Sequence, residues 1–290
     1  MNTANSRLIL GLWRIAQWGM SSEQVAGLIS ACLDLGIDTF DVADIYCDYQ
    51  CESMLGAALQ TNPSLKSRIK LISKCGIALV NPARHAHRIK HYNTSRDHII
   101  ASVDNSLLCL SVEKLDLLLI HRPDPLMNAD EVAEAFDLLK CAGKVEGFGV
   151  SNFAPHQLEL LQSRLNEPLR TNQIEISLLH LNSLFDGTLD QCQRLRVMPQ
   201  AWSPLAGGTL SYQHEETYLG RTLSRVANEL GVTREQLAFA WLLRHPAGIR
   251  PLSGSGKLTH IRELVEAQNI QLDHQLWFEL LEAAMGHPVP

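Results

Sequence analysis

Leu115-Asp-Leu-Leu-Leu-Ile-His121 is a continuous apolar run that stops at a histidine. Two earlier runs share its form. Gly36-Ile-Asp-Thr-Phe-Asp41 stops at an aspartate, and Ile69-Lys-Leu-Ile-Ser-Lys74 stops at a lysine. Apolar runs without alternation suit parallel strands covered on both faces. In a closed parallel barrel every strand C-terminus opens onto one face, so polar residues far apart in sequence meet there. Asp41, Lys74 and His121 fit that placement, and Tyr46 follows the first run in Asp41-Val-Ala-Asp-Ile-Tyr46.

Outward from these runs the chain alternates strand-like and helix-like segments. The strands expected are Leu8–Trp13, Ile37–Asp41, Ile69–Ser73, Leu115–Ile120, Val145–Val150, Gln173–Ile176, Pro199–Trp202 and Ile249–Leu252. A helix opens at Ser21-Ser22-Glu23, repeats apolar residues at Val25, Leu28, Ile29, Cys32 and Leu33, and stops at Gly36. Further helices are expected over Cys51–Gln60, Arg96–Leu110, Ala129–Ala142, Pro155–Leu165, Thr188–Arg196 and Tyr218–Leu230. The alternation predicts an α/β fold, a (β/α)8 TIM barrel forming a single domain over residues 1–290. Extra helical material is expected over about 262–290, in Arg262–Gln268 and Asp273–Ala284. The competing architecture is an open doubly wound sheet, but no G-x-G-x-x-G follows the first strand. Gly76–Thr94 and Pro204–Gly220 read as long loops overhanging the strand C-termini.

The 290 residues carry a net charge of −6 with both signs interspersed and 46% hydrophobic residues. That balance fits a globular protein with a large core. No basic stripe with interleaved aromatics is present, which argues against nucleic acid as a partner. No apolar run reaches about 18 residues, and the N-terminus has no signal-peptide core, so a cytoplasmic protein without membrane segments is expected. The seven cysteines, Cys32, Cys47, Cys51, Cys75, Cys109, Cys141 and Cys192, contain no C-x-x-C pair and are expected to be reduced thiols. Their spacing does not match a zinc site, and no metal is expected.

Tyr46, Lys74, Asp41 and His121 together make a proton-delivery set. A tyrosine phenol titrates near pH 10, so it is protonated at neutral pH. A nearby ammonium favours the phenolate and strengthens the phenol as a donor, and a carboxylate keeps that ammonium charged and in place. A histidine beside them orients a carbonyl oxygen. Each residue alone also fits a packing or solvated role. Four at strand ends fit one site better than four coincidences.

Several longer stretches resemble the aldo-keto reductase family across nearly the whole chain. They are Gly11-Leu-Trp13, Phe40-Asp41-Val-Ala-Asp-Ile-Tyr46, Leu71-Ile-Ser-Lys74, Asp116-Leu-Leu-Leu-Ile-His121, Gly147-Phe-Gly-Val-Ser-Asn152, Asn172-Gln173 and Trp202-Ser-Pro-Leu205. Trp13-Arg14, Lys74-Cys-Gly-Ile77 and His121-Arg-Pro-Asp-Pro125 are most similar to its bacterial YdhF-type branch. The resemblance implies a nicotinamide cofactor bound without a Rossmann domain and Asp41, Tyr46, Lys74 and His121 as the catalytic tetrad. It implies that Ser151, Asn152 and Gln173 hold the carboxamide, that Trp202 stacks on the ring, and that Ser203, Leu205 and Gly207 approach the pyrophosphate. Ser253, Gly254, Ser255 and Lys257 match the segment that receives an adenosine 2′-phosphate, with Arg262 nearby and Glu263 near the adenine. Ser253-Gly-Ser-Gly-Lys257 is not a P-loop, because Pro251 and Leu258 stand where that motif needs Gly and Ser/Thr. His260 stands where many members have Arg, and Cys47 where they often have Gly. NADP(H) is the expected cofactor, with NAD(H) as the alternative.

The expected activity is NADP-dependent reduction of aldehyde or ketone carbonyls, with a small carbonyl compound as partner and Trp13, Trp18 and Arg122 lining the substrate side. Two readings stay open beside it. One is a cofactor-bound regulatory subunit on the same fold, as some family members associate with channels. The other is a lyase or isomerase using Lys74 as a Schiff base. The substrate and the oligomeric state are not legible.

Overall fold

The computed structural model describes residues 6–212 and 216–290. Ten strands form in chain order: β1 (Ile9–Gly11), β2 (Thr39–Asp41), β3 (Lys70–Cys75), β4 (Ile77–Ala78), β5 (His91–Tyr92), β6 (Leu117–Ile120), β7 (Phe148–Ser151), β8 (Thr171–Glu175), β9 (Met198–Trp202) and β10 (Arg250–Ser253). Eight of them close into a barrel in the order β1-β10-β9-β8-β7-β6-β3-β2. Every pairing within it is parallel. The (β/α)8 expectation therefore stands, and the doubly wound alternative does not.

Side-chain parity decides what faces the lumen. Successive strand residues point to opposite faces. Leu8, Leu10, Phe40, Leu71 and Leu118 join the large core under the helices. Their neighbours Ile9, Ile72, Leu117, Leu119 and Leu252 form a separate cluster filling the barrel. Asp41 lies one residue past outward Phe40, and Lys74 two past inward Ile72, so both are carried into the lumen above that apolar layer.

The helices follow local signals closely. Ser21 caps Ser22–Asp34 through a reciprocal pair with Gln24. Cys51–Thr61, Arg96–Leu110, Ala129–Cys141, Pro155–Gln162, Thr188–Leu195 and Tyr218–Leu230 lie within a few residues of expectation. Some elements differ from expectation. The expected loop Gly76–Thr94 contains an antiparallel hairpin, β4 with β5, that pairs Ile77 with Tyr92. The helix Arg234–Leu243 was not expected: Leu237 to Leu243 are all buried, so no apolar stripe with a polar back marks it. Its signal is the capping pair Thr233 and Gln236. The tail helix starts at Leu258 rather than Arg262 and is followed by His274–Met285. Of the loop expected over Pro204–Gly220, residues 213–215 lie outside the described residues; a short helix, Thr209–Tyr212, precedes them.

One contact between barrel helices requires a glycine. A Cβ on Gly56 would lie 2.0 Å from the carbonyl oxygen of Cys109 on the neighbouring helix. Both atoms belong to backbone, so neither side yields cheaply. Overpacking of this kind costs about 1–3 kcal/mol, against a helix-propensity gain of at most about 1 kcal/mol for alanine. Gly56→Ala should therefore lower the urea midpoint of unfolding at an unchanged slope. A midpoint at or above the parent value would show that these helices part easily.

Candidate active site

Lys74 is the penultimate residue of β3, with its side chain 0% exposed. Its ammonium donates to Asp41 Oδ1 at 2.6 Å, to the carbonyl oxygen of Val42 at 2.8 Å and to Tyr46 Oη at 3.2 Å. An ammonium has three protons, and these three acceptors take them all. Asp41 is held on its other side, where Gln173 Nε2 donates to Oδ2 at 2.8 Å. The same amide donates to Gln200 Oε1 at 2.9 Å. His121, just past β6, lies edge-on to the Tyr46 ring with centroids 5.5 Å apart. Its amide donates to the carbonyl oxygen of Cys75 at 2.9 Å, which extends the β3–β6 ladder and fixes its place. The structure thus brings together all four residues that the strand-end pattern selected.

Burial and charge set the protonation states. Burial pushes the Lys74 ammonium toward losing its proton, but Asp41 and Tyr46 together outweigh it and the pKa is raised. For Tyr46 the balance goes the other way. Burial raises the phenol pKa, and Lys74, acting against it, does not cancel the effect. The phenol is consequently protonated at neutral pH, and the ammonium is charged. Burial holds the His121 imidazole well below its ordinary value, with Lys74 and Arg122 acting in the same direction. It is neutral, and its Nδ1 is buried with no hydrogen-bond partner among the described residues.

The residues matched to a cofactor divide into two places. Beside the tetrad, Ser151 Oγ donates to the carbonyl oxygen of Gln173 at 2.9 Å, and Asn152 Nδ2 donates to Ser151 Oγ at 2.7 Å. Trp202 Nε1 donates to Asn152 Oδ1 at 2.9 Å. The Arg122 guanidinium lies 5.4 Å from the Trp202 ring centroid. Ser203, Leu205 and Gly207 follow β9 in a turn where Ser203, Ala206 and Gly207 all have positive φ. Beyond β10, Ser253 Oγ and Ser255 Oγ accept from the amides of Ser255 and Lys257, and Lys257 is the N-cap of the helix Leu258–Glu266. Gly254, Lys257, Arg262 and Glu263 are exposed there.

The two tryptophans expected on the substrate side lie in different places. Trp13 lies 6.5 Å from Tyr46 between ring centroids and is 58% exposed. Trp18 packs on the segment that follows β10: a Cβ on Gly256 would meet its ring at 2.6 Å. The cysteines also differ from expectation. Cys47 and Cys51 form a disulfide, because the turn between them folds back and brings their Cα atoms to 5.4 Å, within the range that such a bond needs. Cys75 is buried, and burial with the nearby Asp44 and Glu52 carboxylates raises its thiol pKa well above the usual value, which makes it inert. Among the described residues no cluster of ligating side chains could hold a metal.

Sequence reasoning passed over two features. Gln200 was not singled out, although a polar side chain in Met198-Pro-Gln-Ala-Trp202 at an inward position was a readable signal. On the outer face of β3, under the helix Cys51–Thr61, Glu52 accepts from Ser73 Oγ at 2.6 Å, and burial raises the Asp44 pKa well above its ordinary value.

The state of His121 carries a consequence for stability. Its folded pKa is depressed, so the native state binds fewer protons than the unfolded chain once pH falls below the unfolded value of about 6.5. Its contribution is fully present above that value and is lost as pH falls toward the folded pKa. Urea melts should lose stability on acidification from about pH 7 to 5, by up to about 1.4 kcal/mol per pH unit from this group. His121→Asn should flatten that slope; parallel losses in the two proteins would rule out a buried neutral His121.

Comparison with known proteins places this geometry. Residues 7–284 match the Aldo/keto reductase family. The chain is 51% identical over 286 residues to "Oxidoreductase YdhF" of Escherichia coli, covering 98% of this chain and 95% of the relative. It is 48% identical over 288 residues to "Uncharacterized oxidoreductase YcsN" of Bacillus subtilis, covering 98% and 96%. It is 44% identical over 287 residues to "6-dehydroglucose reductase" of Agrobacterium fabrum, covering 98% and 96%. The crystal structure of the thermostable aldo-keto reductase Tm1743 with the inhibitor epalrestat superposes at a TM-score of 0.79 with 28% identity, over 96% of this chain and 94% of that one. A family match over nearly the full length, relatives alike over the same span and a shared closed barrel lead to one conclusion: this chain belongs to the aldo/keto reductase family of NAD(P)H-dependent oxidoreductases.

Proposed function

We propose that this protein reduces aldehyde or ketone carbonyl groups with NADPH, and that Tyr46 supplies the proton. The observation that carries the reading is the third hydrogen bond of the buried Lys74 ammonium, made to Tyr46 Oη. A phenol that gives up its proton there leaves its negative charge 3.2 Å from a fixed ammonium. The neutral imidazole of His121, beside Tyr46, orients the carbonyl oxygen that receives the proton. Asp41, fixed by Gln173, keeps Lys74 charged through the reaction.

The residues fit a nicotinamide cofactor, which supplies the hydride when bound. Asn152 keeps one amide proton to donate, and Ser151 Oγ and Gln173 Oε1 can accept, which meets a carboxamide's need for a donor and an acceptor. Trp202 offers a half-exposed flat ring to a flat partner. At the other end, Ser255 and Lys257 lie at the start of a helix, where backbone amides and the dipole favour an anion, and Arg262 stands on the second turn of that helix. That set supports the 2′-phosphate of NADPH, with Glu263 near the adenine. Trp13 and Arg122 border the substrate. The Agrobacterium fabrum relative is named a 6-dehydroglucose reductase, so a hydroxylated aldehyde belongs in any substrate panel beside simple aliphatic and aromatic ones.

Two measurements test the reading. Tyr46→Phe removes only the phenol O–H. It should lower turnover roughly 10²–10⁴-fold, the usual worth of general acid catalysis, while fluorescence titration shows NADPH binding intact. Parent-level turnover with several aldehydes would remove Tyr46 from the role. Lys257→Ala addresses the cofactor. A charge-assisted contact to a phosphate is worth about 1.5–3 kcal/mol, so the dissociation constant for NADPH should rise about 10- to 150-fold, with little change for NADH. Equal losses for the two cofactors would show that Lys257 does not read the 2′-phosphate.

A further inference from the structure

Cys47 follows Tyr46 directly, and the turn it begins is unusual. Cys47, Asp48 and Tyr49 have φ of 50°, 54° and 70°, three successive non-glycine residues in the left-handed region. That region is disfavoured for each of them. The Cys47–Cys51 bond closes across this turn. On one side the turn ends in Tyr46, which Lys74 holds in the tetrad. On the other side Tyr49 Oη accepts from the amide of Leu79 at 2.8 Å, and Arg84 lies 3.9 Å over the Tyr49 ring. Leu79 and Arg84 belong to the connection between β4 and β5, beside the barrel mouth. The sulfurs also rest on the segment that carries Trp13. Cys47 Sγ is 3.4 Å from the Trp13 carbonyl oxygen, and Cys51 Sγ is 3.6 Å from that of Leu12. One short covalent loop therefore ties Tyr46, the β4–β5 connection and the Trp13 segment together.

The remaining cysteines are free. Cys32, Cys75 and Cys192 are buried, and their thiols are correspondingly unreactive. Cys51 is fully buried while Cys47 is half-exposed, so a small thiol reaches the bond at the Cys47 sulfur. Isolated disulfides in reducing compartments are usually redox-sensing or catalytic rather than structural.

We propose that Cys47 and Cys51 form a thiol–disulfide exchange site that controls the placement of Tyr46, with the oxidised form the more active one. The reductant is a low-molecular-weight thiol. Its thiolate attacks Cys47 Sγ, the Cys47–Cys51 bond breaks, and Cys51 leaves as a thiolate that takes up a proton. A second thiol then attacks the mixed disulfide and frees Cys47. Two thiols become one small disulfide, and the protein gains two electrons and two protons. Reduction frees the strained turn, which loosens Tyr46 and Tyr49 together. Tyr46 retains its phenol, so the loss is of positioning and not of the acid itself. The proposal rests on Tyr46 as the proton donor for its effect on turnover, but not for its effect on the turn.

The test uses the whole protein in glutathione buffers of graded potential, with three readouts. Alkylation followed by mass spectrometry should show one pair, Cys47 with Cys51, passing between bonded and alkylated states. Amide exchange over residues 77–92 should speed up on reduction. Turnover should fall reversibly, by less than the roughly 10²–10⁴-fold loss of a missing general acid, with NADPH affinity unchanged. Cys47→Ser and Cys51→Ser should each sit at the reduced level and ignore the buffer, whereas Cys141→Ser should respond like the parent. If both thiols alkylate at every potential, or if the pair toggles while exchange and turnover stay constant, the proposal is overturned. Repeating the exchange measurement in Tyr46→Phe separates the two claims. A redox-dependent change there supports the switch, even where parent-level turnover of that variant has refuted the proton-donor reading.

Discussion

A fully buried lysine charge is the constraint on which the rest of the site depends. An unpaired ammonium in a protein interior is costly enough that it would ordinarily lose its proton. Lys74 stays charged because every one of its protons has an acceptor and because Asp41 beside it is itself fixed. Asp41 comes from β2, Lys74 from β3, Gln173 from β8 and Gln200 from β9. A single polar chain therefore crosses the barrel mouth and joins strands from different sides of the closed sheet. Below it lies the dry layer of Ile9, Ile72, Leu117, Leu119 and Leu252. That layer excludes water from beneath, which strengthens each contact above it and makes any missing partner expensive.

Opposed shifts follow from the same surroundings. Burial raises the Tyr46 pKa and depresses that of His121, and the ammonium acts downward on both. For the phenol the two influences oppose each other, and burial is the larger. For the imidazole they add. The outcome is a protonated phenol next to a neutral imidazole at neutral pH. In the reaction proposed above, the first has a proton to give and the second brings no competing positive charge to the carbonyl oxygen.

Backbone strain is concentrated around the candidate site. Eight described non-glycine residues have positive φ. Ser111 and Arg196 are ordinary helix C-caps. The other six follow the C-terminal ends of β2, β7 and β9: Cys47, Asp48 and Tyr49, then Asn152, then Ser203 and Ala206. Such conformations persist only where surrounding contacts over-determine them. Here those contacts are the Cys47–Cys51 bond, the Trp202–Asn152–Ser151 hydrogen bonds and the tight turn after β9. The scaffold can carry that strain because the strands beneath are short, buried and paired on both edges.

The sequence by itself determined the barrel and the identity of the four central residues. Apolar runs ending in Asp41, Lys74 and His121 are a local pattern, and parallel strands translate a local end position into a shared face. The helix start at Ser21-Ser22-Glu23 was legible for the same reason, since a cap acts within one turn. The helix Arg234–Leu243 escaped because burial on all sides erases the periodicity that sequence reading relies on. Only the tertiary structure decided matters that depend on distance across the fold. It tied Gln200 through Gln173 to Asp41, set Trp18 against Gly256, and let burial outweigh the lysine at Tyr46. It also joined Cys47 to Cys51, because three left-handed residues, which no spacing rule announces, turn the chain back on itself. Desolvation and backbone reversal are properties of the assembled neighbourhood, and a residue's neighbours in sequence do not contain them.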